Sequence, residues 1–440
     1  MQILDYVSGD VRLQLGGTAS EITMGVTGNG IYTKDYAGSN SSGAIFLLSS
    51  TTLNGSIDNI HIYELPDYTS VGNHSLTYST ADKYAGTGSL KITATGAGRG
   101  SELVTNPNIS GSATGWTITV PAVVAYGNDN LVCTNLNNSS TVKPTGVTVT
   151  AGKTYEVIFT VTVTSGNIAM VAGVGATGRT NKTVSGTYRE LQTCVNTGDF
   201  YVDGDNFYGT IESLSVKEYL GEVSLPSANL ESCVATKKYT LEGFARLDAS
   251  SLTFGSDLAS GWNFTSGWTA DGATINSATQ FTTTGGNNRI YFAAGYSGMA
   301  NKIVKIVVAG TVSTGTLEFR TGDSTVNPKV SGTFDTTVFM VNGINDLLQL
   351  KCSGAGAVVN ITKLETYGAT PITLTAQLGT KSVTSSALSI VAGTFTKFVL
   401  NFEWQPADVT AGQDLKLWLS GAGSVYVDKL SLTQSFDVIS

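Results

Sequence analysis

The chain has 440 residues, 13% of them charged, with 51 glycines and only 8 prolines; that length makes room for about three or four domains, and about 25% charge would be usual. A net charge of −8 with no basic run gives nucleic acid no electrostatic footprint and a membrane surface no basic handle. The apolar runs are far shorter than a membrane span, and 41% hydrophobic content supports packed cores rather than disorder.

Taken from the start, Met1-Gln2-Ile3-Leu4-Asp5 has no charged or apolar leader, so no secretory signal is expected there. Val11-Arg12-Leu13-Gln14-Leu15-Gly16 matches Leu374-Thr375-Ala376-Gln377-Leu378-Gly379 near the other end of the chain. That match makes residues 1–65 the second half of a β-sandwich. A half sheet leaves unpaired edges, so another chain or another copy is expected to complete it, the alternative being that Met1 marks a fragment boundary. Residues 66–100 hold Ser89-Leu90-Lys91-Ile92-Thr93-Ala94-Thr95, which alternates apolar and polar as a half-buried strand does. Gly96-Ala97-Gly98-Arg99-Gly100 then reads as a turn.

Residues 101–219 open at Asn106-Pro107-Asn108 and run through two predicted strands, 155–161 and 168–171. Residues 220–250 carry Lys238 to Leu247, the continuation of the strand begun in residues 66–100. A turn is expected over Leu247-Asp248-Ala249-Ser250. Residues 251–368 open at Leu258-Ala259-Ser260-Gly261-Trp262 and repeat the two-strand signal at 304–308 and 317–320. Residues 369–440 hold the remaining strands. Four segments share one closing strand: Ile57-Asp58-Asn59-Ile60, Ile211-Glu212-Ser213-Leu214, Ile361-Thr362-Lys363-Leu364 and Val427-Asp428-Lys429-Leu430. A turn-and-aromatic mark precedes three of them: Gly186-Thr187-Tyr188, Gly332-Thr333-Phe334 and Gly393-Thr394-Phe395.

This self-similarity predicts an all-β chain of jelly-roll sandwiches. Residues 66–100, 220–250 and 369–440 form one discontinuous host, 101–219 and 251–368 are guests inserted into it, and 1–65 is a preceding half sandwich. Insertion at exposed turns is mild because loop-closure entropy grows slowly with length. The four cysteines (Cys133, Cys194, Cys233, Cys352) have no paired spacing and read as buried thiols.

The segments 85–92, 237–241 and 425–432 resemble the galactose-binding-like jelly roll of carbohydrate-binding modules, and openings such as Leu103-Val104-Thr105-Asn106-Pro107-Asn108 look like those of similar modules on phage virion proteins. The resemblance implies sugar binding in some members and pure scaffolding in others, and a structural calcium in many. Fold alone does not decide between these roles.

Sugar recognition needs an exposed aromatic face with polar groups beside it. Phe398, Leu400, Phe402 and Trp404 share one phase and belong to a core. Trp418 alternates against Leu415, Leu417 and Leu419, so it faces outward with Lys416, as a ligand platform or as interdomain packing. Trp116, Trp262 and Trp268 lie near the guest openings, as ligand contacts or as plugs at one end of a sandwich. Asp199, Asp203 and Asp205 offer oxygens to calcium, or else form a polar hairpin around Gly204. No other cofactor is expected. His61 and His74 have no acid–serine or acid–cysteine partners, and Asp58, Glu212 and Asp428 are repeat features rather than a catalytic pair.

The expected function is therefore non-catalytic: a phage virion fibre, decoration or adhesion component. Its expected partners are other virion proteins or copies of itself, and host surface glycans. The competing expectation is a secreted or cell-surface bacterial carbohydrate-binding array, or the accessory region of a glycoside hydrolase.

Overall fold

A computed structural model describes residues 2–8, 12–15, 21–23, 29–31, 45–48, 54–58, 68–79, 82–84, 89–120, 123–137, 142–225, 237–285, 288–292, 300–321, 327–341, 348–403 and 414–434. The chain divides into two compact units, Met1–Pro66 and Asp67–Ser440. Among the described residues the regular elements are strands, apart from a single turn of 3-10 helix at Ala249–Ser251.

The first unit contains β1 (Gln2–Ser8), β2 (Arg12–Leu15), β3 (Glu21–Thr23), β4 (Gly30–Ile31), β5 (Ile45–Leu48) and β6 (Asn54–Asp58). They form two three-stranded antiparallel sheets, ordered β4-β1-β6 and β3-β2-β5.

In the second unit the host begins with β7 (Thr69–Gly72), β8 (His74–Ser79) and β9 (Ser89–Ala94). The first guest follows: β10 (Arg99–Glu102), β11 (Trp116–Ile118), β12 (Val124–Tyr126), β13 (Leu131–Leu136), β14 (Val142–Pro144), β15 (Thr148–Val149), β16 (Thr154–Ala172), β17 (Gly186–Thr193) and β18 (Gly198–Tyr219). The host resumes with β19 (Gly221–Leu225) and β20 (Lys238–Asp248). The second guest is β21 (Trp268–Asp271), β22 (Ala273–Ile275), β23 (Gln280–Thr283), β24 (Arg289–Phe292), β25 (Ile303–Thr321), β26 (Lys329–Val341), β27 (Leu348–Cys352) and β28 (Val358–Ala369). The host closes with β29 (Leu374–Leu378), β30 (Lys381–Thr384), β31 (Thr396–Glu403), β32 (Leu415–Leu419) and β33 (Gly423–Gln434).

The host is a sandwich of two five-stranded sheets, β30-β29-β32-β19-β7 and β31-β20-β33-β9-β8. Residues far apart in sequence meet here: Ile92, Leu241 and Leu374 lie in one apolar core with Phe398, Leu417 and Val425. Alternation produces this directly. Phe398, Leu400 and Phe402 of β31 and Leu415, Leu417 and Leu419 of β32 are buried, while the residues between them are not. Each such side chain, taken fully out of water, contributes about 1.5–3 kcal/mol. Trp404 lies outside the described residues.

Each guest has its own core. Phe159, Phe200, Phe207 and Leu214 centre the first; Phe264, Phe281, Phe319 and Leu350 centre the second. The two strands expected in each guest are one long strand. Residues 154–172 form β16 and 303–321 form β25, each with irregular register partway along. The irregularity sits at a glycine: Gly166 has φ +74° and Gly315 φ +76°. A Cβ on Gly166 would come 2.1 Å from the Asn206 carbonyl oxygen. A bulge therefore bends the strand without ending it. The turn expected over 96–100 stops at Gly98, because Arg99 already pairs with Tyr219 in β10–β18. Gly186 opens β17 and Gly332 falls inside β26, while Gly393 keeps its turn.

Candidate functional site

Trp418 and Lys416 face outward from the host core, as their phase requires, but they face the first guest. Trp418 packs on the backbone at Gly98, where a Cβ would lie 2.5 Å from the Trp418 Cβ. The Arg99 guanidinium sits over the indole at 4.2 Å and over Tyr219 at 4.6 Å. Arg99 also donates to Glu156 (Nε to Oε2, 2.9 Å) and to Glu222 (Nη2 to Oε2, 2.5 Å). Arg189 pairs with Glu156 and Lys416 with Glu222, each at 2.7 Å. The result is a buried ionic cluster joining guest (Arg99, Glu156, Arg189) to host (Glu222, Lys416). Trp418 is thus an interdomain contact, and the ligand reading of Trp418 and Lys416 is corrected: a platform needs a free face.

The electrostatics of the cluster are those of paired charges. Burial alone would raise the carboxyls of Glu156 and Glu222. Against it, Arg189 and Arg99 hold Glu156 below its ordinary value, and Lys416, Arg189 and Arg99 do the same for Glu222. His74 lies beside it with Nδ1 2.6 Å from the Asn73 Oδ1, while its Nε2 accepts from the Leu419 amide at 3.0 Å. Burial first, then Arg99, lowers His74 to about 4 against the opposite pull of Glu222. It is a neutral structural histidine.

The other sequence candidates are also structural. Trp116 and Trp268 are 7% and 8% exposed, within the guest cores. The Trp116 indole donates to the Asn106 carbonyl at 3.3 Å. Trp262, partly buried at the margin of the second guest's core, packs on Phe264 at 5.0 Å, and Trp268 meets Phe264 edge-on at 5.0 Å. Asp199, Asp203 and Asp205 do not converge: Asp199 pairs with Lys143, Asp203 with Arg179, and Asp205 accepts from Asn167 and Asn206. No group of three metal-binding side chains comes together among the described residues. Cys133, Cys194 and Cys352 are buried free thiols; Cys233 and His61 lie outside the described residues.

The face with an open aromatic surface is elsewhere, on the outside of the sheet β31-β20-β33-β9-β8. In β20, Tyr239, Leu241, Ala245 and Leu247 point inward and are buried, so Phe244 points out. Tyr84, from the loop between β8 and β9, stacks on it with ring centroids 3.9 Å apart and planes at 10°. Phe395 meets Tyr84 edge-on at 5.9 Å. Tyr84 remains 44% exposed. A bulge in β33 opposite Glu242 and Phe244 places Lys429 at φ +49°, and its ammonium lies 5.6 Å from the Tyr84 ring. Asp428 accepts from the Tyr84 and Lys429 amides at 2.9 and 2.7 Å. Glu242 and Lys397 pair alongside at 2.5 Å.

The residues beneath are tied together by paired charges and ring contacts. Arg246 pairs with Asp82 and lies over Tyr426 at 4.6 Å. Lys91 donates to Asp248 at 2.9 Å and lies 5.1 Å from the same ring. Asp82 also accepts from the Gly393 amide at 3.1 Å, tying two loops together. An apolar ring face rimmed by carboxylates and ammoniums suits a ligand with one apolar face and polar edges. Sequence reasoning missed Tyr84, Phe244 and Lys429. The phase test that exposed Trp418 marks Phe244 too, since it alternates with Tyr239, Leu241 and Leu247.

No family model matches the chain, and no curated protein matches it. Among solved structures it is similar to the N-terminal tandem CBM22 domains of Xyn10C from Paenibacillus barcinonensis, at 10% identity over 84% of this chain and 93% of that one, with a TM-score of 0.12. It is also similar to the arabinofuranosyltransferase AftD from Mycobacteria, at 9% identity over 84% of this chain and 38% of that one, with a TM-score of 0.16. Superpositions this loose carry no argument about function.

Proposed function

We propose that the chain is a non-catalytic structural and adhesion protein, a fibre or decoration component of a phage particle, that holds glycan on the outer face of its host sandwich. The reading is supported by the Tyr84–Phe244 stack, half open to solvent and rimmed by Lys429, Asp428, Glu242 and Lys397. A saccharide ring has an apolar CH face that stacks on Tyr84, and hydroxyls that reach the charged rim. The guests, locked onto the host, act as spacers.

A glycan array with the full chain tests the adhesion role. Retention of a defined set of saccharides is expected, with Tyr84→Ala weakening binding by about tenfold or more, which is about 1.4 kcal/mol. Absence of retention, or equal binding by the variant, overturns it. Mass spectrometry of purified particles from a host carrying the gene tests the virion role; a chain secreted free of particles overturns that part.

A further inference from the structure

The second guest carries a charged face that its fold does not require. On the outer side of its sheet, register places two rows of side chains across neighbouring strands. One row is Asp271 of β21, Arg289 of β24, Lys351 of β27, Glu318 of β25 and Lys329 of β26. The row beside it is Thr269, Tyr291, Gln349 and Arg320. The residues alternating with them, Trp268, Ile290, Leu317, Phe319 and Leu350, are buried in the guest core, so both rows point away from it. Neighbouring strands lie about 4.8 Å apart, so the longer row runs about 19 Å. The first guest shows that these positions are free to differ. At the same offsets from the bulge glycine, Gly166 or Gly315, it has Ala169 and Val171 where the second guest has Glu318 and Arg320, and both are 1% exposed.

The charge on this face is in surplus of one sign. Four cations, Arg289, Arg320, Lys329 and Lys351, stand with two carboxylates, Asp271 and Glu318, on a chain whose net charge is −8. Both carboxylates are engaged. Asp271 accepts from Arg289 at 2.9 Å, and Glu318 accepts from Arg320 at 2.5 Å and lies 3.7 Å from the Lys329 ammonium. Lys351 makes no ion pair among the described residues, and the residue opposite it in β24 is a second cation, Arg289. Like charges directly opposite across a strand pair are destabilising, and a bound anion would relieve this one. Gln349, 7% exposed, accepts from the Arg289 Nη1 at 2.8 Å. It helps to fix the guanidinium, which lies 5.5 Å from the Tyr291 ring.

We propose that this face binds an acidic polysaccharide, a chain of uronic-acid sugars, laid across β21, β24, β27, β25 and β26. A sugar carboxylate answers the unpaired Lys351 and its neighbour Arg289, whose planar guanidinium suits a carboxylate. Sugar rings, apolar on one face, meet the Tyr291 ring in the adjoining row. Charge density separates this ligand from nucleic acid. Four cations less two carboxylates leave two over about 19 Å, which matches a polymer with at most one charge per ring, whereas each strand of nucleic acid carries a phosphate about every 3.4 Å. The site belongs to the second guest and uses none of the residues around Tyr84, so it stands whether or not the host face holds glycan.

The test is titration calorimetry of the full chain with a polygalacturonate oligomer. Two further probes run beside it: the fully methyl-esterified oligomer, which keeps the backbone and loses the charge, and single-stranded DNA. The free oligomer is expected to bind, more weakly as salt rises, with the ester and the DNA each weaker by about tenfold or more. Lys351→Glu is expected to weaken binding of the free oligomer by about tenfold or more, while Tyr84→Ala leaves it unchanged. Lys351→Met, which removes the charge without reversing it, serves if Lys351→Glu does not fold. Four results overturn the proposal: no binding of the free oligomer, equal binding of the ester or of DNA, a folded Lys351 variant that binds as the parent does, or a loss on Tyr84→Ala equal to that on Lys351→Glu.

Discussion

At the scale of single residues, phase was readable and partners were not. The alternation of Leu415, Leu417 and Leu419 shows that Trp418 leaves the host core, and it does. What it meets is Arg99, more than three hundred residues earlier, and no local pattern announces a contact of that range. His74 illustrates the same limit. It sits in an ordinary alternating strand, yet burial and Arg99 bring it to about 4, from 6.5 in the unfolded chain. The folded state thus binds fewer protons, so this contribution is complete above about 6.5 and is lost as pH falls from there to about 4. His74→Gln keeps an acceptor for the Leu419 amide and is expected to flatten the fall in melting temperature over that window, measured by thermal denaturation at stepped pH.

At the scale of elements, strand existence was legible and strand continuity was not. Two apolar runs separated by a glycine read as two strands; in both guests the glycine bends one long strand instead. The bend requires backbone that only glycine adopts cheaply, and at Gly166 there is no room for a Cβ against the Asn206 carbonyl. Gly166→Ala is expected to destabilise the first guest by about 1–3 kcal/mol, read as a lower urea midpoint. The same substitution at Gly152, where a Cβ would meet nothing within 4 Å at a similar φ of +81°, isolates the strain from the clash and is expected to cost less. The bulge that presents Lys429 was equally hidden: it is a mismatch between β20 and β33, and only register reveals it.

At the scale of the molecule, the meeting of Ile92, Leu241 and Leu374 in one core was legible because a repeat interrupted by its own relatives leaves a broken periodicity. The character of the seams was not. The first guest is held by buried charge, through Arg99, Glu156, Arg189, Glu222 and Lys416. The second is held by apolar contact: Ile303 and Ala369 belong to the host core, and Phe254 meets Phe339 at 6.0 Å beside it. Arg99→Ala leaves two buried carboxylates short of a partner and is expected to cost about 3–5 kcal/mol. Ile303→Ala is expected to cost about 2–5 kcal/mol at any pH. The carboxyls of Glu156 and Glu222 are depressed, so their contribution is present above the ordinary carboxylate value and lost as pH falls through the folded one. Limited proteolysis at low pH is therefore expected to release the first guest before the second. The pairing of Arg99 with Tyr219, reinforced by the Leu220 amide on the Gly98 carbonyl at 3.0 Å, has one more effect. It shorts the chain across the base of the guest, so tension drawn along the polypeptide runs through the host and passes the guest by. Only once that clasp, the ionic cluster and the guest's own core have all given way would the inserted sandwich pay out its length, about 120 residues or roughly 400 Å of slack.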